Sequence, residues 1–126
     1  MAQDALLAQL RALRERVAGI TDTVLASRDG LVVTADTADV NPDNVAALAA
    51  ASLGLAQRMT AEAGQGRLRE AITRSSGGCV AIFAVGASAL LLVTGDEGLD
   101  TGRLHRESRS TVEALEKLIA SARPVA

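Results

Sequence analysis

GRLREAITRSSGGCVAIFAVGASALLLV, residues 66–93, decides the fold. Its second half carries no charge: Cys79 to Val85 and Ala89 to Val93 are apolar runs on either side of Gly86-Ala87-Ser88. Short apolar runs broken by a turn predict two strands folded back on each other, each covered by helices on both faces. A membrane-spanning helix would need about 20 unbroken apolar residues, and the turn interrupts this stretch well before that. Arg67 to Ser75 reads differently, with Leu68 and Ile72 set among Arg67, Arg69, Glu70, Thr73 and Arg74. That mixture predicts a strand at the margin of the sheet. A margin with free backbone groups invites either a protective cover or another chain.

Immediately upstream, Asn41-Pro42-Asp43 announces a helix. Asn caps free N–H groups, Pro suits the first turn, and Asp complements the helix dipole. The helix runs to near Gly64, with Val45, Leu48, Ser52, Leu55 and Met59 as one stripe, while Ala46, Ala47, Ala49, Ala50, Ala51, Gly54 and Ala61 leave its other faces nearly smooth. So little polar surface predicts cover on more than one side, and a close contact with a second copy would supply it. Farther upstream, Ile20 to Arg28 and Leu31 to Ala35 read as a hairpin turning at Asp29-Gly30, and Thr37 to Val40 as a connecting loop. Leu6, Leu10, Leu13 and Val17 mark an amphipathic first helix closed by Gly19. Downstream, Asp100 caps a last helix that turns Leu104, Thr111, Val112, Leu115, Leu118 and Ile119 inward, and Pro124 stops it.

The 126 residues suit one domain, residues 1–126 with a core from about 4 to 121, and no internal repeat or low-complexity linker divides them. With a single Phe and no Tyr or Trp, the core must be built from Leu, Val, Ile and Ala. A net charge of -2 offers no general attraction for nucleic acid or anionic membrane. Cys79 is the lone cysteine and His105 the lone histidine, so neither an internal disulfide nor a Cys/His zinc set is expected. The start of the chain lacks the basic and apolar blocks of a signal peptide, and a cytoplasmic location is the expectation.

The order helix, hairpin, helix, three-stranded meander, helix resembles the Roadblock family, the dynein light chain type domain, and within it the small bacterial, actinobacterial-type members. The resemblance is carried by Val24 to Val33, by Gly66 through Val93, and by Asp100-Thr101-Gly102, and it spans about Leu6 to Ile119. It implies an α+β, profilin-like fold of order α-β-β-α-β-β-β-α: a five-stranded antiparallel sheet with the middle helix on one face and the two terminal helices on the other. It also implies a homodimer joined through the third strand and the middle helix. Ala50, Leu53, Gly54, Leu68, Glu70, Ile72 and Arg74 are the candidate dimer contacts. A further implied partner is a small Ras-like GTPase, with Asn44, Ala47, Ala51, Gln57, Arg58 and Glu62 as its candidate contacts.

Catalysis by this chain itself is not expected. There is no Gly-x-x-x-x-Gly-Lys phosphate loop. Ser75 and Ser76 lack a plausible base, and no cofactor is called for. Arg28, Arg58, Arg67, Arg69 and Arg74 are candidates for an arginine donated to a GTPase, a device worth about 10³ to 10⁵ in rate. A mechanism without such an arginine, in which the dimer favours one conformation of the GTPase, is preferred. The rival readings are a light-chain-like scaffold and, less favoured, a small-molecule sensor.

Overall fold

The computed structural model describes residues 2–122. The elements in order are α1 (Ala2–Arg16), β1 (Ile20–Ser27), β2 (Val32–Asp36), α2 (Pro42–Glu62), β3 (Glu70–Ser75), β4 (Gly78–Val85), β5 (Ala89–Gly95) and α3 (Thr101–Ala122). The strands form one antiparallel sheet in the order β2-β1-β5-β4-β3. Every residue of β5 is buried, as its unbroken apolar sequence demands of a central strand. β3 lies at the margin, as its mixed sequence predicts.

Two cores form, one on each face of the sheet. On one face α1 and α3 cover Leu25, Ala81, Phe83, Leu91 and Val93, with Leu6, Leu10, Leu13, Leu104 and Leu115 fully or nearly fully buried. On the other, α2 alone covers Val24, Ala26, Ile82, Leu90 and Leu92. Each leucine so enclosed contributes about 1.5–3 kcal/mol by leaving water. The expected arrangement, one helix opposite two, is therefore present.

Local signals place the elements. The Asn41 side chain accepts from the N–H of Asn44 at 3.1 Å, and Asp100 accepts from that of Arg103 at 3.1 Å, so both caps act as read. Gly19 holds φ 97° where α1 gives way to β1. The first hairpin departs from expectation: Asp29 has no positive φ, and only Gly30 is left-handed, at 89°. Ser27 and Leu31 close a three-residue turn and the ladder shifts register between Leu25 and Ala26. A left-handed Gly at its last position is the usual partner of such a bulge. Pro124 lies outside the described residues.

One polar group inside the sheet was not foreseen. Asp22 is buried, and its Oδ1 accepts from the N–H groups of Ala38, Asp39 and Val40 at 2.7, 2.9 and 3.4 Å, while the Thr94 hydroxyl donates to Oδ2 at 2.7 Å. The carboxylate thereby ties the loop that enters α2 to the middle of the sheet. Burial pushes its pKa up, but the hydrogen bonds from Asp39, Thr94, Ala38 and Thr21 outweigh that and lower it to about 2.

Candidate interaction surface

The helix α2 turns its small side chains to the sheet. Ala46 and Ala49 are buried and Leu53 is 1% exposed, whereas Leu48, Leu55 and Met59 are 68%, 63% and 66% exposed. Alanine against a sheet lets the helix axis approach closely, and the bulky members of the stripe are left on the opposite side. Leu48, Ser52, Leu55 and Met59 follow one another at spacings of 4, 3 and 4, so they form a continuous seam facing solvent. Ala51 and Glu62 flank it and are exposed. The tip of the β1–β2 hairpin sits beside the first turns of this helix, where a Cβ on Gly30 would lie 3.0 Å from the Cα of Ala47. Leu31 next to it is also exposed.

Several candidate contacts stand where a partner could reach them. Asn44, Ala47, Ala51, Gly54, Arg58 and Glu62 are exposed on α2, and Ala50 is half-buried against the sheet. Two expectations need correction. Leu53 belongs to the core under α2, because it points at the sheet and not away from it. Gln57 is turned inward: its Oε1 accepts from the N–H of Leu68 at 3.0 Å and its amide reaches the Gly66 carbonyl at 3.5 Å. That bond turns the N–H of Leu68 to α2; β3 begins at Glu70 and not at Arg67, with the carbonyl of Arg69 still accepting from the N–H of Ala84 at 2.9 Å. Leu68 packs into the core beneath α2.

The other candidates sit on the opposite face. Glu70, Ile72 and Arg74 pair with Phe83, Ala81 and Cys79, and so point to the side of α3. Glu70 meets the imidazole of His105, and Arg74 donates to the Thr101 hydroxyl at 2.7 Å. Between them Ile72 is 38% exposed. Burial pushes the thiol of Cys79 up, partly offset by nearby Arg74, so the cysteine is a core residue with little thiolate character.

The five arginines divide in the same plain way. Arg28 is engaged, its Nε and Nη2 donating to the carbonyls of Ala89 and Gly86 at 2.8 Å each. Arg74 is held by Thr101. Arg58, Arg67 and Arg69 are exposed and make no side-chain hydrogen bond or ion pair among the described residues. Sequence reasoning found Leu48, Ser52, Leu55 and Met59 as one stripe but not that the stripe faces solvent, since an apolar residue on a helix surrounded by alanine gives no sign of which way it faces. No described helix is long and apolar enough to cross a membrane.

Known structures share this architecture. A Roadblock/LC7 domain from Streptomyces avermitilis superposes with a TM-score of 0.84 at 23% identity, over 90% of this chain and 96% of that one. The gliding protein MglB from Thermus thermophilus gives 0.88 at 20% identity, over 97% and 93%. An MglB in a tetrameric arrangement gives 0.90 at 20% identity, over 98% and 93%. Comparison with curated proteins finds no match. The Roadblock/LC7 domain family itself matches residues 6–94, from the first buried leucine of α1 to the end of the central strand, and this chain belongs to that family.

Proposed function

We propose that the chain is a non-enzymatic regulator that self-associates and binds a small Ras-like GTPase, changing its nucleotide state. The observation that carries this reading is the exposed seam of Leu48, Leu55 and Met59 on a helix beside an uncovered strand margin. Contiguous apolar surface of this kind marks protein contacts. Membership of the Roadblock/LC7 family and the likeness to a gliding protein and to a tetrameric MglB support it.

Recognition works through surface shape more than through a donated arginine. Arg28 and Arg74 are tied to their own chain, which leaves Arg58 on α2 as the cation nearest the seam. A dimer whose apolar seam fits one conformation of the GTPase switch better than another shifts the switch toward that conformation by the difference in affinity. The site of action is the cytoplasm, where such GTPases work.

The test is co-purification with a Ras-like GTPase encoded nearby, followed by nucleotide hydrolysis and exchange with and without this protein. A rate changed several-fold, and restored to the basal value by Leu55→Arg, is the expected result. Binding with both rates unchanged would replace regulation by scaffolding, and absence of binding would remove the GTPase reading altogether.

A further inference from the structure

Of the three sulfur atoms in the chain, the structure places one, that of Met59, on the exposed seam of α2. Cys79 is buried in the sheet and Met1 lies outside the described residues. We propose that Met59 is a site of reversible oxidation: a hydroperoxide converts its thioether to the sulfoxide and so weakens the joining of two copies through α2, an effect that rests on the self-association proposed above.

The face that carries Met59 suits a second copy of itself. Leu48, Leu55 and Met59 form a ridge along α2, and Ala47, Ala51 and Gly54, also exposed and spaced by 4 and 3, form a shallow furrow beside it. Nothing lies within 4 Å of where a Cβ on Gly54 would stand. A two-fold axis sets the ridge of each chain against the furrow of the other. Methionine, unbranched and polarizable, is the member of the ridge that adapts most readily to the surface it meets.

The chemistry is the transfer of one oxygen. A lone pair of the Met59 sulfur attacks the hydroperoxide, an S–O bond forms as the O–O bond breaks, and sulfur is oxidised by two electrons. The proton on the transferred oxygen passes to the departing one, which leaves as water or an alcohol. A thioether needs no deprotonation to react, whereas Cys79 is buried with its thiol pushed up and holds little thiolate, so it is the poorer target. The sulfoxide is a polar group in place of an apolar one. Its oxygen accepts hydrogen bonds, and the ridge neighbours Leu48 and Leu55 have no donor to offer it. Burying that oxygen against the furrow leaves a polar atom unpaired, which weakens association about tenfold. Within a joined pair the sulfur is covered, so oxidation acts on single copies and holds them apart.

Treatment of the full chain with hydrogen peroxide, followed by peptide mapping by mass spectrometry and by sedimentation over a range of concentrations, tests the switch. Met59 should gain one oxygen, self-association should weaken about tenfold, and methionine sulfoxide reductases for both epimers should restore it. The melting transition by circular dichroism should not move, because Met59 packs into neither core. Met59→Leu removes the sulfur and keeps an apolar side chain; its association, whatever its starting strength, should be the same before and after peroxide. Met59 should also react more slowly at concentrations where the chain is associated than where it is free. Unchanged association of the oxidised parent, an equal loss in Met59→Leu on treatment, a lowered melting transition in the oxidised parent, or a rate of oxidation independent of concentration would each overturn the switch and leave self-association standing. A parent that sediments as a single copy before treatment would overturn both.

Discussion

At the residue scale, Asp22 and Thr23 show how differently neighbouring buried polar groups can be treated. Asp22 has its carboxylate satisfied by three backbone N–H groups and Thr94. Its folded pKa of about 2 lies below the unfolded value of about 3.9, so its contribution is complete above the unfolded value and is lost as pH falls toward 2. That contribution is about 2.5 kcal/mol. Thermal unfolding followed from pH 7 to pH 2 should show this acid loss, and Asp22→Asn should flatten it while lowering stability at pH 7 by about 1–3 kcal/mol. Thr23 is fully buried, and its hydroxyl has no hydrogen-bond partner among the described residues. Thr23→Val keeps the shape and removes the orphan, so denaturant unfolding should show a gain of about 1 kcal/mol. Neither role was legible from the sequence, because the partners of Asp22 lie in a loop 16 to 18 residues away and only the folded chain brings them together.

Among the elements, α2 was both the best and the worst specified. Asn41, Pro42 and Asp43 fixed its start by local chemistry that acts within a single turn, and the structure agrees. Its facing was hidden. Periodicity identifies an inward side by contrast between polar and apolar residues, and a helix of alanine and leucine offers almost none. Packing decided it: Ala46, Ala49 and Leu53 fit the narrow space over the sheet, leaving Leu48, Leu55 and Met59 outside. Two leucines two residues apart should therefore respond in opposite ways. Leu53→Ala should cost about 2–5 kcal/mol in denaturant unfolding through the cavity it leaves. Leu55→Ala should stay within about 0.5 kcal/mol of the parent in the same measurement, yet weaken self-association or GTPase binding in sedimentation. The strands were read more surely, since the apolar runs of β4 and β5 and the mixed run of β3 differ in kind; only the first residues of β3 were misplaced, where the N–H of Leu68 goes to the Gln57 side chain and not to a strand.

For the whole molecule, the order of strands in space differs from their order in the chain. β5 is the last strand to be made and lies at the centre, between β1 from the start of the chain and β4. Its register joins Thr23 to Val93 and Leu25 to Leu91. During synthesis the first and second hairpins thus have no common sheet, and each presents a bare flank to solvent until the segment ending at Gly95 clears the ribosome. Long-range closures of this sort are slow and leave sticky intermediates. A chain cut after residue 88 should consequently yield no cooperative melting transition by circular dichroism and should precipitate, while adding residues 89–122, which carry β5 and the α3 that covers it, as a separate peptide would supply the keystone and let the two halves lock.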